Sequence, residues 1–223
     1  MSIRSAVKSL LLPKGVAARR IPFGVAAGVV MEIDFSFQAR IFFGLYEREI
    51  ANHLRALVRP GMRCFDIGSG VGYYSLALAR RCGTEVVAVD TSPSVAEQLR
   101  RNVAANDLPV TVVEGRVGGG GTGDPLTIDR LAETYFRPDF IKMDIEGAET
   151  SALRGATNVL AGHAPSLVIE VHGSDIEAEF RALLEAQGYT PFAVAPRSWL
   201  AEERPAEYNG WLICPSPNSV QKT

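Results

Sequence analysis

From Cys64 to Val171 short apolar, β-branched runs alternate with longer amphipathic runs. The run Cys64–Ile67 reads as a strand stopping at Gly68, and Tyr73 to Arg81 as a helix closed by Gly83. Glu85 to Val89 reads as a second strand, and Ser92-Pro93 as an N-cap followed by a first-turn proline. The helix it opens runs to about Asn106, with Val95, Leu99 and Val103 on one face. Pro109 to Val113, Phe140 to Ile145 and Leu167 to Val171 read as further strands. Helices are expected over Ala148–Leu160 and Ile176–Gln187, and final strands around Phe192–Val194 and Trp211–Ile213. Near-continuous apolar strands are buried on both faces, and strand–helix alternation then requires a mainly parallel sheet with helices on both sides.

A chain of 223 residues suffices for one such domain. Apolar residues are 47% and charged residues 22%, which excludes disorder, collagen and coiled coil for the whole chain. No apolar run reaches the ~18 residues of a membrane-spanning helix, so stable membrane insertion is not expected. Cys64, Cys82 and Cys214 are too few and scattered for a disulfide framework or zinc ribbon, and a cytoplasmic setting is the default. Residues 1–31 hold five basic side chains (Arg4, Lys8, Lys14, Arg19, Arg20) and no acid, so the remainder holds 18 bases and 25 acids, a net of −7. An acidic main body argues against nucleic acid as partner. Residues 1–45 read as an N-terminal extension or arm, and 46–223 as the main domain, opened by a helix from Glu47 to Val58. The segment Gly118–Gly123 reads as a surface loop, because no Gly-Lys-Ser/Thr follows it.

The first strand runs into Asp66-Ile-Gly68-Ser69-Gly70-Val-Gly72. Glycines there allow a tight turn and close approach of a ligand. A dinucleotide fingerprint would need glycine at position 73, where Tyr73 stands. Asp66 is expected beside the loop, facing an ammonium group or its bound water. Asp90 ends the second strand, where an acid accepts both hydroxyls of a ribose. Free ribose hydroxyls and a cationic amino-acid tail describe S-adenosylmethionine better than NAD. Ser69, Thr91 and, toward the adenine, Glu114 complete the candidate cofactor contacts.

The stretches LYEREIANHLRALVRPGMRCFDIGSGVGYYSLALAR, VVAVDTSPSVAEQLRRNVAAN, FIKMDIEGAETSALRGA and PSLVIEVHG resemble the FkbM family of S-adenosylmethionine-dependent methyltransferases. The resemblance covers roughly residues 40–175. It implies a class I methyltransferase (Rossmann-like) fold, a doubly wound, mainly parallel seven-stranded sheet with an N-terminal extension. It also implies O-methylation of small molecules or sugars. Its cofactor positions fall on Asp66, Gly68, Gly70, Gly72 and Asp90, and Tyr46-Glu47 resembles the Tyr-Glu pair carried before the first strand.

Lys142, Asp144 and Glu146 share parity, which in a strand places them on one face. Glu170 and His172 repeat the arrangement on the next strand. Buried charges must pair or meet a ligand, and ligands of open α/β sheets lie beyond the carboxyl ends of strands. Methyl transfer to oxygen needs a base. His172 is the expected one, with Asp144 as second choice or orienting partner. The fourth strand lacks the Asn-Pro-Pro-Tyr type of motif of amine and base methylators, which favours a hydroxyl acceptor. A hard cation on Asp144, Glu146, Glu170 and His172 is the less favoured arrangement. The expected activity is S-adenosylmethionine-dependent O-methylation of a small hydroxylated molecule. A non-catalytic cofactor-binding scaffold and an NAD-dependent oxidoreductase are the alternatives.

Overall fold

The computed structural model describes residues 15–120, 126–194 and 209–219. Arg4, Lys8, Lys14 and the part of the glycine-rich segment from Gly121 onward lie outside the described residues.

The central sheet holds seven strands: β3 (Cys64–Ile67), β4 (Val86–Asp90), β5 (Val110–Glu114), β6 (Phe140–Met143), β7 (Ser166–His172), β8 (Phe192–Val194) and β9 (Asn209–Cys214). Their order is β5-β4-β3-β6-β7-β9-β8. The first five run parallel, and β9 is antiparallel to both its neighbours. The chain builds β3, β4 and β5 toward one edge, then returns to place β6 on the other side of β3. A crevice opens at such a reversal, beyond the carboxyl ends of the strands.

Two apolar layers cover the sheet. One packs Phe65, Ile67, Ile141, Met143 and Ile169 against α5 (Ile128–Thr134), α6 (Glu149–Arg154), α7 (Thr157–Gly162) and α8 (Ser174–Ala186). The other packs Cys64, Phe140, Val168 and Trp211 against α2 (Ala51–Leu57) and α3 (Tyr73–Cys82). The helix α4 (Pro93–Ala104) follows β4 and buries Ala96 and Leu99.

The extension adds structure that periodicity left unassigned. Its described part forms a hairpin of β1 (Val16–Arg20) and β2 (Val30–Asp34), then α1 (Ala39–Phe42). Met31 and Ile33 enter the second apolar layer. Asn102 of α4 and Asn106, in the turn after it, hydrogen-bond the β2 backbone at Glu32 and Val30. Arg20 donates to the Gly28 carbonyl, and Arg19 lies over the Phe35 ring, so these two bases brace the hairpin.

Three local expectations are corrected. The strand expected over Phe140–Ile145 ends at Met143, because Glu146 (φ 50°) and Gly147 (φ 95°) are left-handed and turn the chain away. The helix expected over Ala148–Leu160 is two, α6 and α7. At the break, a Cβ on Gly155 would meet the Gly118 carbonyl at 2.2 Å. Asp129 of α5 accepts from the first N–H groups of α7, at Asn158 and Val159. The helix expected from Glu47 starts as a 3-10 turn at Arg48, since Glu47 is itself left-handed.

Candidate active site

The loop after β3 is held from both sides. Gly68 and Ser69 donate to the Val89 carbonyl, at 2.9 and 3.0 Å. Gly68 also approaches the turn after β6 so closely that a Cβ would lie 1.7 Å from the Asp144 carbonyl oxygen. Gly72 performs the same service for α4, where a Cβ would meet Leu99 at 2.2 Å. Gly70 is different: its surroundings are open, and its N–H donates to Asp90 Oδ2 at 2.9 Å.

A cleft of about 300 Å³ opens over the ends of β3, β4 and β6. Gly68, Gly70, Asp90 and Thr91, all expected cofactor contacts, line it, together with Gly115 and Val117, which the sequence did not single out. Its other polar walls are Asp144 and Glu146, so among the described residues the lining holds three carboxylates and no basic side chain. Asp90 accepts one N–H on each oxygen, from Gly70 and from Ser92. A carboxylate has about four acceptor sites, so capacity for two hydroxyls is left. The donor set fits S-adenosylmethionine: acceptors for a ribose, an apolar patch at Val117, and negative charge for a sulfonium and ammonium.

Five expected contacts sit elsewhere. Asp66 does not face the cleft. It is buried beneath it, accepting from Ser75 Oγ at 2.6 Å with Lys142 Nζ 3.7 Å away. Ser69 is buried within the loop, and Gly72 serves helix packing. Glu114 points outward to Arg100, at 2.6 Å, rather than toward an adenine. Tyr46 packs its ring against Tyr73 and Tyr74, at 5.4 and 6.3 Å between centroids. Ser92 sits at the N-cap position of α4, yet its hydroxyl makes no cap bond.

Lys142 is the hub beneath the loop. Its buried Nζ donates to the Gly68 carbonyl at 3.1 Å and lies 3.5 Å from Asp144 Oδ2. Its carboxylate partners are thus Asp66 and Asp144. Burial disfavours its charge, but Asp144, Asp66 and Glu47 outweigh that and hold it above its usual range. Asp66, the more deeply buried acid, is pushed up by desolvation against the pull of Lys142 and Ser75.

His172 stands at the end of β7, half-buried, with Nε2 3.7 Å from Asp144 Oδ1. The strand-end pair expected from the sequence is therefore brought together. The donor atoms of Asp144, Glu170 and His172 lie within 4.8 Å of one another. Glu146 leaves that group, because the strand has ended before it and it is exposed on the cleft rim. Sequence reasoning missed Glu149. This buried acid in the first turn of α6 holds His172 Nδ1 at 2.8 Å and accepts from the Gly147 N–H on the same oxygen. The bond to Glu149 raises the His172 pKa above its ordinary value, opposed by partial burial and aided by the charges of Asp144 and Glu146. A signal existed in the sequence: Glu149, Ala152, Leu153 and Ala156 fall on one helical stripe, an acid heading an apolar face.

Sheet order, glycine loop and strand-end acid define the class I fold of S-adenosylmethionine-dependent methyltransferases. Residues 122–191 match the family model described as the methyltransferase FkbM domain, and residues 65–120 match a general methyltransferase domain. Over residues 122–191 the chain is similar to the FkbM methyltransferase family. Among solved structures, the methyltransferase FkbM of Methylobacillus flagellatus superimposes with a TM-score of 0.55 at 20% identity, over 81% of this chain and 54% of that one. A precorrin-6Y C5,15-methyltransferase of Geobacter metallireducens gives 0.56 at 17%, over 76% and 88%. Both likenesses speak to fold. A ribosomal protein L11 methyltransferase of Chloroflexus aurantiacus is 36% identical over 69 residues, 30% of this chain and 21% of that relative. The chain thus spans about a fifth of the length of that relative. Among the described residues no helix is long and apolar enough to cross a membrane.

Proposed function

We propose that this chain transfers a methyl group from S-adenosylmethionine to a hydroxyl of a small molecule, of the sugar or secondary-metabolite class. The observation that carries the reading is a cleft lined, among the described residues, by three acids and no base, with His172 3.7 Å from Asp144, one of its walls. Such a lining disfavours the doubly anionic pyrophosphate of NAD and favours a cationic cofactor.

When bound, the cofactor supplies a methyl carbon activated by a positively charged sulfur. The rest falls to the chain. Asp90 holds ribose hydroxyls, and the Gly70 backbone leaves room for close approach. Asp144 and Glu146 set a negative field at the far end of the cleft. S-adenosylmethionine would supply its methyl carbon to the acceptor oxygen, and His172 Nε2 would take the hydroxyl proton, with Asp144 beside it. Positioning supplies most of the acceleration in such a displacement, and a placed base adds about 10²–10⁴-fold.

Methyl-labelled S-adenosylmethionine offered with a panel of hydroxylated acceptors tests this. Label is expected on oxygen, and His172→Ala should lose about 10²–10⁴-fold in turnover. Label on nitrogen or carbon, or full activity in His172→Ala, overturns the assignment.

A further inference from the structure

We propose that Glu149 is a positioning residue that fixes the His172 imidazole as its Nδ1–H tautomer and turns Nε2 toward the acceptor proton. This rests on reading His172 as the base, and it adds a group to that site. A carboxylate only accepts hydrogen bonds, so the imidazole nitrogen 2.8 Å from Glu149 Oε1 must carry the proton. The lone pair is then left on Nε2, the nitrogen on the Asp144 side.

The surroundings argue against a purely structural acid. Glu149 is completely buried, and one of its two oxygens, Oε2, has no hydrogen-bond partner. Its other oxygen takes the Gly147 N–H and the imidazole. Burying a lone carboxylate costs several kcal/mol, so a position whose only charge partner among the described residues is an imidazole has its rationale in that imidazole. The left-handed turn at Glu146 and Gly147 is what brings Glu149 beneath the end of β7. The same arrangement serves the imidazolium: as Nε2 gains the acceptor proton, positive charge forms against a fixed negative one. The charged groups around the ring are Glu149 from α6, Asp144 and Glu146 from the turn after β6, and Glu170 on its own strand. Among the described residues only Glu149 is hydrogen-bonded to it.

Imidazole nitrogen NMR of the full chain tests this without any acceptor. The chain has three histidines, so His172→Gln assigns the signal by its disappearance. In the wild type His172 should show the Nδ1–H tautomer and titrate above the ordinary histidine value. Glu149→Gln keeps an acceptor oxygen but removes the charge, and should lower that titration by about one pH unit or more. Glu149→Asp keeps the charge on a shorter arm and should fall between the two. With an acceptor in hand, Glu149→Gln should lower kcat while leaving KM for S-adenosylmethionine unchanged, with partial rescue by aspartate. An unchanged tautomer and titration in Glu149→Gln overturns the proposal. If that variant does not fold, a wild-type titration in a folded Glu149→Asp with the tautomer reversed overturns it instead. A chain that passes the titration yet transfers no methyl group would refute the function and leave the positioning role standing.

Discussion

At the scale of single residues, Asp90 and His172 carry separable jobs. Asp90→Ala removes the anchor of the Gly70 N–H and, in the proposed ribose role, a charge-assisted pair of hydroxyl contacts. It should weaken S-adenosylhomocysteine binding by about 1.5–3 kcal/mol, read by calorimetry. An unchanged affinity would remove Asp90 from the ribose site. His172 also links stability to pH. Its folded pKa is raised, chiefly by Glu149, so its stabilising contribution is complete below the unfolded value of about 6.5 and is lost as pH climbs through the folded one. Denaturant midpoints of wild type and Glu149→Gln should therefore differ most below that value and converge above it. The same shift moves the rising limb of the turnover profile above the ordinary histidine pKa. Asp144 and His172 were legible because strand ends at a sheet's carboxyl edge point to ligands. Asp66 was misjudged for a physical reason. Alternation says which residues share a face of β3, but not that Ser75, nine residues later on α3, and Lys142 take the carboxylate below the sheet. Glu149 lies on a helix, and the strand reasoning never reached it.

At the scale of elements, the loops between strands fix the site. Lys142 ties β6 to the glycine loop through the Gly68 carbonyl and holds two acids in place. Lys142→Met should destabilise by about 3–5 kcal/mol in denaturant titration, the usual result of leaving a buried carboxylate without its partner. A loss below 1 kcal/mol would mean that Asp66 needs no counter-charge. The hairpin depends on two asparagines. Asn106 pairs with both the N–H and the carbonyl of Val30, so Asn106→Ala leaves two partly buried backbone groups unmet. It should cost about 1–3 kcal/mol, roughly 2–12 °C in Tm. The hairpin was illegible from periodicity, because β1 alternates between exposed and half-buried positions and its partner lies across a glycine-bearing turn. The break between α6 and α7 was hidden too, because Asp129, from a different helix, is what caps the second segment.

At the scale of the whole molecule, the sheet was legible almost entire. Short apolar, β-branched runs favour strands, and glycine, proline and acid punctuation marks their ends. The order of strands, with its reversal at β3, is a matter of the structure. The net acidity of the main body reappears locally as the base-free cleft, which suits a cationic cofactor. The acid–histidine cluster is read as proton-handling because it already contains the ammonium of Lys142, and Nδ1 of His172 is engaged by Glu149. Turnover should accordingly survive dialysis against a chelator. Loss of activity restored by a divalent cation would reassign Asp144, Glu170 and His172.

The most direct test of the account is a crystal structure of the full chain with S-adenosylhomocysteine. The ribose hydroxyls should lie on Asp90, the backbone of Gly70 against the ligand, and the sulfur within about 8 Å of His172 Nε2, close enough for a bound hydroxyl to bridge the gap. A ligand seated outside this cleft, or a sulfur farther from His172 with no water path between them, would contradict it.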